Sequence, residues 1–560
     1  MINRKVSIGL DYGTESARAL IADVLTGEEI ATATANFPTG VMDKTLPDGT
    51  EVEPETALQN PNDYLEVMEQ TLASAMEKGK VSAEQVIGLA IDFTASTVLP
   101  TTEDGTPLCN LPEFISEPYA WVKLWKDHTA QPEAEEMNIL AEKRNESFLK
   151  RYGGRLSSEW MFPKALRMLR KAPKVYATMN KYIEAGDWLV WQLTGNVRRS
   201  SCQAGYKGMW SKGSGYPTKE YLGELEDEFS SFVEDKLDPK VYPLGNAAGG
   251  LTAKWAEKLG LLPNTPVAVS IIDAHAAVLG TSVYDSGKMV LALGTSTCHL
   301  VMNKENVEID GVAGIVEDGI VPGFAAYESG QSAVGDIFLW FIRNYISSEY
   351  IEKANEHNLD IFQYLEMLAA KIPVGSNGLL ALDWWNGNRS TLMDADLSGM
   401  LIGLTLNTKP EEIYRALIEA TAFGTLAIID NHVNQGVAID ELYATGGLAE
   451  KNELLMQIYA DVTGREIKVA ESSQAAALGA AIIGTVAAGK SNHGYNSFED
   501  AVKAMAKLKD IKYIPNENNR KSYQKIYAEY KNLYKEFGTG MMKTMKNLKN
   551  IRNEIKAKNN

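Results

Sequence analysis

Two short segments carry the residue types needed to hold a phosphate. Asp11-Tyr12-Gly13-Thr14-Glu15-Ser16 sets a glycine between hydroxyl residues, with Arg18 just beyond. Glycine lets backbone N–H groups approach a phosphate closely. Thr14 and Ser16 add hydroxyl donors, and Arg18 adds positive charge. Asp11 is an oxygen ligand of the kind that holds water around Mg²⁺. Gly294-Thr295-Ser296-Thr297 repeats this chemistry in the second half of the chain. A third turn, Thr445-Gly446-Gly447, leads toward Lys451 and Asn452. Its paired glycines permit a flat base to lie on bare backbone, and the helix start beyond favours anions. Taken singly, each segment reads first as a plain hairpin or strand-to-helix turn. Two donor turns at the heads of two similar units would face each other across a cleft.

An acid stands at the end of an apolar run, VAVSII, at Asp273. Ligands in open α/β sheets bind beyond the carboxyl ends of strands, which makes Asp273 a candidate general base. The same residue could simply cap a helix over 274–279, and His275 reads as a helix-surface residue. Lys207 and Glu328 sit among small residues and aromatics, surroundings that suit a polar small-molecule site. From the local sequence alone, both read first as exposed charges. Gly484 to Ser491 matches the literal pattern GxxxxGK[ST], yet no strand precedes it. An Ala-rich helical stretch leads in, so Gly489 reads as a helix end rather than a P-loop.

The elements that must position these residues are legible as periodicity. Residues 5–24 and 288–302 both read as strand, Gly-Thr-rich turn, strand. Further strands are expected over 86–92, 267–272 and 442–445, and helices over 411–429 and 451–462. Strands mixed with long helices in both halves give an α/β class. The segment 210–250, rich in Gly, Pro, Ser and acids, reads as irregular surface structure. From about residue 495 the chain is Lys-rich, with helical spacing at Tyr523, Ile526, Tyr527 and Tyr530. Lys543, Lys546, Lys549 and Arg552 share one side of a helix. That side reads as a solvated face, with a binding arm for an acidic partner as the lesser alternative.

Composition bounds the function. The chain has 560 residues, with 55 Lys+Arg against 73 Asp+Glu, a formal charge of −18. Such an acidic balance argues against a general nucleic-acid binder. Three scattered cysteines supply neither a disulfide framework nor a CxxC zinc site. The six histidines show no HxxxH spacing. The apolar run after Arg4 and Lys5 breaks at Asp11, too early for a signal peptide. The least polar stretch, 475–488, falls short of the ~20 residues that span a bilayer. A soluble, reduced, cytoplasmic protein without a membrane or nucleic-acid partner is expected.

Together these residues resemble the FGGY carbohydrate kinases, of the actin-like ATPase superfamily. The most specific match is Gly399 to Leu404 (GMLIGL) followed, seven residues on, by Glu412 to Glu419 (EIYRALIE). The two phosphate turns and the Gly446-Gly447 turn follow in family order, and the resemblance covers about residues 5–490. The segments LWKDHTA (124–130), SSEW (157–160), AGYKGMW (204–210), GTSTC (294–298), ESGQSAVGD (328–336), LDWWNGNR (382–389) and ATAFG (420–424) are similar to the branch acting on ribulose. Other members usually carry W-x-D-x-R, where Trp125 to Thr129 here lacks the Arg. Glu15 replaces a small hydroxyl residue, and the family's first signature, around Lys164, is poorly matched.

The resemblance implies two RNase-H-like domains around a hinged cleft. Residues 1–281 would form a sugar-binding domain, 282–490 an ATP-binding domain, and 491–560 a helical tail. It implies ATP and Mg²⁺, with Gly13, Thr14, Ser16, Arg18, Gly294, Thr295, Ser296, Gly446, Gly447 and Asn452 toward the nucleotide and Asp11 toward the metal. Asp273 falls where the family's catalytic Asp lies. Lys207, Glu328 and the backbone near Ala95 and Ser96 would line the sugar pocket, which Asp273 also reaches. The activity implied is transfer of the γ-phosphate to the terminal C5 hydroxyl of L-ribulose in L-arabinose breakdown. A kinase for another ketopentose, a pentitol or glycerol is the nearest alternative. An actin-like ATPase serving as a chaperone or sugar sensor is a more distant one. Assembly as a homodimer is left open.

Overall fold

The apolar alternation around the first turn folds as two antiparallel strands, Val6–Tyr12 and Ser16–Asp23, with Asp11 opposite Arg18. The second such segment behaves alike. Gly287–Leu293 and Thr297–Asn303 run antiparallel, with Leu293 opposite Thr297. The structure, a computed structural model, describes residues 4–559.

Each hairpin seeds a seven-stranded sheet. In the first, Glu29–Asn36 adds antiparallel to Ser16–Asp23, and Val86–Phe93 adds parallel to Val6–Tyr12. Pro266–Ala268 and Ile271–Ile272 then pair in parallel with Val86–Phe93, and Ala247–Gly250 forms the edge. In the second, Ala325–Gln331 and then Gly314–Glu317 add antiparallel beyond Thr297–Asn303. On the other side Ile439–Thr445 and Ile467–Ala470 follow in parallel, with Leu508–Tyr513 as an antiparallel edge. An antiparallel meander continued by parallel strands, present twice, is the RNase-H-like order expected. Val86–Phe93 is buried along its whole length, as a central parallel strand must be. Its register sets Asp92 beside Asp11 on one side and Ile271 on the other. The carboxyl ends of three parallel strands therefore lie together, where open α/β sheets bind ligands.

Several elements differ from their sequence patterns. The strand expected over 267–272 is broken at Val269 and Ser270, and the Ser270 hydroxyl donates 2.6 Å to buried Asp187. The segment 210–250 is not merely irregular surface. It contains the helix Lys219–Leu225, it buries Phe229 and Phe232 in an aromatic cluster with Phe162, and it packs buried Tyr221 edge-on to Phe148. Its glycines and acids had masked this apolar side. The helix expected from Lys451 is split at Asn452 into Gly447–Lys451 and Glu453–Thr463. The helix Pro410–Asn434 outruns its expected ends, with Pro410 at its first position and Glu411 and Glu412 in its first turn. At the refused P-loop, the helix Ala475–Ala488 ends on Gly489 at φ +69°.

The tail is not purely helical. Leu508–Tyr513 completes the second sheet, and the helix Glu517–Tyr534 buries Tyr523, Tyr527 and Tyr530 in that lobe's core. In the helix Thr544–Asn559, Lys546 pairs with Asp394 and Lys549 with Asp396 at 2.7 Å, so this face is partly engaged with the chain itself. The helix Ala475–Ala488 packs against Val6–Tyr12, Val86–Phe93 and the helix Asp273–Gly280, in the core of the first sheet. Glycines make this approach possible. A Cβ on Gly9 would stand 1.8 Å from the Ala477 carbonyl oxygen, and one on Gly479 1.9 Å from that of Ala276.

Candidate active site

Asp273 opens the helix Asp273–Gly280 directly after the short strand Ile271–Ile272. Its Oδ1 accepts the Ala274 N–H at 2.6 Å. Burial, together with the nearby carboxylates of Asp11 and Glu328, pushes its pKa up to about 7 despite that hydrogen bond. A carboxyl poised near neutrality is suited to take a proton.

The two Gly-Thr turns close in the same way. The Gly13 N–H donates to the Ser16 carbonyl at 3.0 Å, and the Gly294 N–H to that of Ser296 at 2.9 Å. The residues between them remain to present donors, and Gly294 and Thr295 are exposed. The Thr14 hydroxyl accepts from Trp125 Nε1 at 3.1 Å, and Gln59 Nε2 donates to its carbonyl at 2.6 Å. Thr295 O accepts from Val334 N at 2.7 Å and Asp336 N at 3.2 Å, fixing the second turn to the start of the helix Gly335–Tyr345. Arg18 Nη1 donates 2.8 Å to Asp11 Oδ2, so the candidate phosphate cation is already engaged with the candidate metal ligand. Gly446 holds φ +96°, and a Cβ there would lie 2.4 Å from Leu293 O. Gly447 is exposed, with open space where its Cβ would be. Asn452 is buried and caps the next helix, its Oδ1 accepting from Leu455 N at 2.8 Å.

Lys207 and Glu328 meet although their local sequences suggested exposed charges. Lys207 Nζ lies 3.2 Å from Glu328 Oε1, and both side chains are buried. Arg389 Nη2 donates to the same oxygen at 2.6 Å. His275, expected on a helix surface, is buried with Nε2 3.7 Å from Glu328 Oε2. Burial drives the Glu328 pKa up, but Lys207, Arg389 and His275 outweigh it and hold the carboxyl down at about 2. Burial pushes His275 down to about 4, so its imidazole is neutral at pH 7.

Ala95 and Ser96 lie just past the end of Val86–Phe93. Ser96 has φ +50° and donates its hydroxyl to Glu159 O at 2.7 Å. Buried Lys164 donates to Ser96 O at 3.0 Å and Leu124 O at 2.6 Å, clamping this backbone from behind.

Sequence reasoning missed four residues here: Asp92, Lys164, His275 and Arg389. Asp92 ends an apolar strand just as Asp273 does, and the same signal would have found it. Both its oxygens are buried without a hydrogen-bond partner, and burial beside Asp11 and Asp273 raises its pKa well above the carboxylate range. Asp11 and Asp92 are neighbours across two strands, and Asp273 is near enough to raise the Asp92 pKa. Among the described residues no three acids, histidines or cysteines form a metal cage by themselves. Asp11 by itself offers the kind of oxygen ligand that suits Mg²⁺, which keeps most of its waters and is completed by phosphates.

Comparisons with known proteins identify the family. Residues 6–280 match the N-terminal domain, and residues 289–488 the C-terminal domain, of the FGGY family of carbohydrate kinases. The ribulokinase of Geobacillus thermodenitrificans (strain NG80-2) is 49% identical over 557 residues, 99% of each chain. That of Shouchella clausii (strain KSM-K16) is 50% identical over 555 residues, again 99% of each. Among solved structures, xylulose kinase from Rhodospirillum rubrum aligns with a TM-score of 0.78 at 21% identity, over 95% of this chain and 98% of that one, which shows a common fold.

Proposed function

We propose that this chain, which belongs to the FGGY family of carbohydrate kinases, performs the reaction of a ribulokinase. It transfers the γ-phosphate of ATP to the C5 hydroxyl of L-ribulose, in the cytoplasm, as a step of L-arabinose breakdown. The full-length relatives named ribulokinase support the substrate. The observation that carries the mechanism is the place of Asp273, near enough to Asp11 and to Glu328 to feel both charges.

Asp273 accepts the proton of the C5 hydroxyl as that oxygen attacks the γ-phosphorus and ADP leaves. Lys207, Glu328 and the backbone of Ala95 and Ser96 bind and orient the sugar. The turns at Gly13–Ser16 and Gly294–Ser296, with Arg18, present donors to the phosphates, and Gly446-Gly447 receives the adenosine. Asp11 would hold Mg²⁺ through water, and that ion would supply charge neutralisation at the transferring phosphoryl group. The first domain, residues 1–281, is assigned mainly to the sugar, and the second, residues 282–490, mainly to ATP. Closure of the two around bound sugar would exclude water as a competing acceptor.

The test is a product assay with ATP, Mg²⁺ and L-ribulose, locating the phosphate by NMR. Ribulose 5-phosphate is expected. ATP turnover without a phosphorylated sugar would overturn the reading, and faster turnover of xylulose or glycerol would overturn the substrate.

A further inference from the structure

We propose that Arg389 is a sugar-specificity residue: one of its N–H donors fixes the Glu328 carboxylate, and the others meet oxygens of the bound ketopentose. This deepens the reading above and rests on it. Glu328 Oε1 takes both Arg389 Nη2, at 2.6 Å, and Lys207 Nζ, at 3.2 Å. Two cations thus share one carboxylate oxygen. The other oxygen has only the neutral His275, at 3.7 Å, beyond hydrogen-bond range. Glu159 also lies near enough to act on Arg389, but the hydrogen bonds of the cluster use one N–H of Arg389 and leave its other donors without a protein acceptor among the described residues. A ketopentose offers neutral acceptor oxygens, which suit those donors without requiring a counter-charge.

Arg389 is the open member of the cluster. Its side chain is 32% exposed, against 7% for Lys207 and 4% for Glu328. A guanidinium has five donors in a planar fork, and here one is committed to Glu328. A purely structural pair would spend its donors inside the protein.

The placement of Arg389 is also built from several sides. Its side chain crosses the strand Ala325–Gln331 at Gly330, where a Cβ would lie 3.4 Å from Arg389 Cδ. The neighbouring Ser390 Oγ accepts the Gly330 N–H at 3.1 Å. Asn388 and Asp394 exchange backbone hydrogen bonds of 2.9 Å each, and Thr391 Oγ1 meets the Tyr534 hydroxyl at 2.8 Å. Lys207 reaches Glu328 from the first half of the chain and Arg389 from the second. A pocket of buried polar groups rejects a sugar that leaves one of them unpaired.

The experiment uses the full chain with Arg389→Gln and Arg389→Lys. Turnover of L-ribulose by the wild-type enzyme is measured first, and its absence sinks the reaction itself. KM and kcat for L-ribulose, KM for ATP and the melting temperature are then compared. The expected result is a rise in sugar KM of about 10-fold or more in both variants, with KM for ATP little changed. Lys is expected to rescue only in part, because an ammonium cannot serve Glu328 and the sugar in fork geometry. Preference for ribulose over xylulose should fall with it. An unchanged sugar KM alongside a lowered melting temperature would make Arg389 a structural partner only. A rise confined to the ATP KM would move it to the phosphates. Either result overturns the proposal. If Arg389→Gln does not fold, the sugar KM of Arg389→Lys decides alone.

Discussion

The hydroxyl of Tyr530 donates to the buried carboxyl of Asp383 at 2.8 Å, joining residues 147 apart in the chain. The second oxygen of Asp383 accepts from Gln331 Nε2 at 2.7 Å. Asp383 lies near the start of the segment 382–389 that ends at Arg389, so a helix of the tail braces a wall of the candidate site.

Replacing Tyr530 with Phe removes one donor and leaves the Asp383 oxygen buried and unpaired. A stability loss of about 1–3 kcal/mol is expected in urea denaturation. Because the braced segment carries Arg389, the sugar KM should rise as well. An unchanged denaturation midpoint would show that the bond carries no weight.

Asp273→Asn keeps the shape and removes the base. The variant should fold and bind ATP with near-normal affinity while kcat drops by about 10²-fold or more. Retention of more than about a tenth of the rate would exclude Asp273 as the proton acceptor.

Acidity provides a second check on the same group. Burial places the Asp273 pKa at about 7, and only the ionised form accepts a proton. Log kcat should therefore climb by one unit per pH unit below about 7 and level off above it. An acid limb centred near 4 would contradict the environment described here.

The paired glycines separate a folding role from a binding one. Gly446→Ala meets both a positive φ and the Leu293 carbonyl, and should distort the turn and lower thermal stability. Gly447→Val enters open space, so the fold should persist while KM for ATP rises. Equal ATP affinity in that variant would remove the adenosine from this turn.

At the helix crossing, Gly479→Ala would place a methyl 1.9 Å from the Ala276 carbonyl oxygen. Backbone on both sides leaves little to give, so a cost at or above the usual 1–3 kcal/mol of overpacking is expected. A wild-type melting temperature would show that the two helices slide apart easily.

Much of this site was legible one element at a time. The turn at Asp11 to Ser16 and its counterpart at Gly294 announce themselves by composition between alternating strands. Asp273 stands out as an acid closing an apolar run, and the false P-loop at Gly489 is dismissed by the helix before it. Arg389 was visible only inside a resembling segment, with no local feature to mark its partner. His275 gave the wrong expectation, since a helix of eight residues has no visible side until its neighbours pack.

The amino-acid sequence by itself determined the two hairpins, the strands that follow them and the chemistry of the turns. These depend on alternation and turn geometry within a few neighbouring residues. Only the tertiary structure decided which charges are buried together. Lys207 and Glu328 are 121 residues apart, and Glu328 and Arg389 are 61 apart. The ionisation of such groups is set by the dielectric and the partners that folding gathers around them, and no local window of the chain contains either.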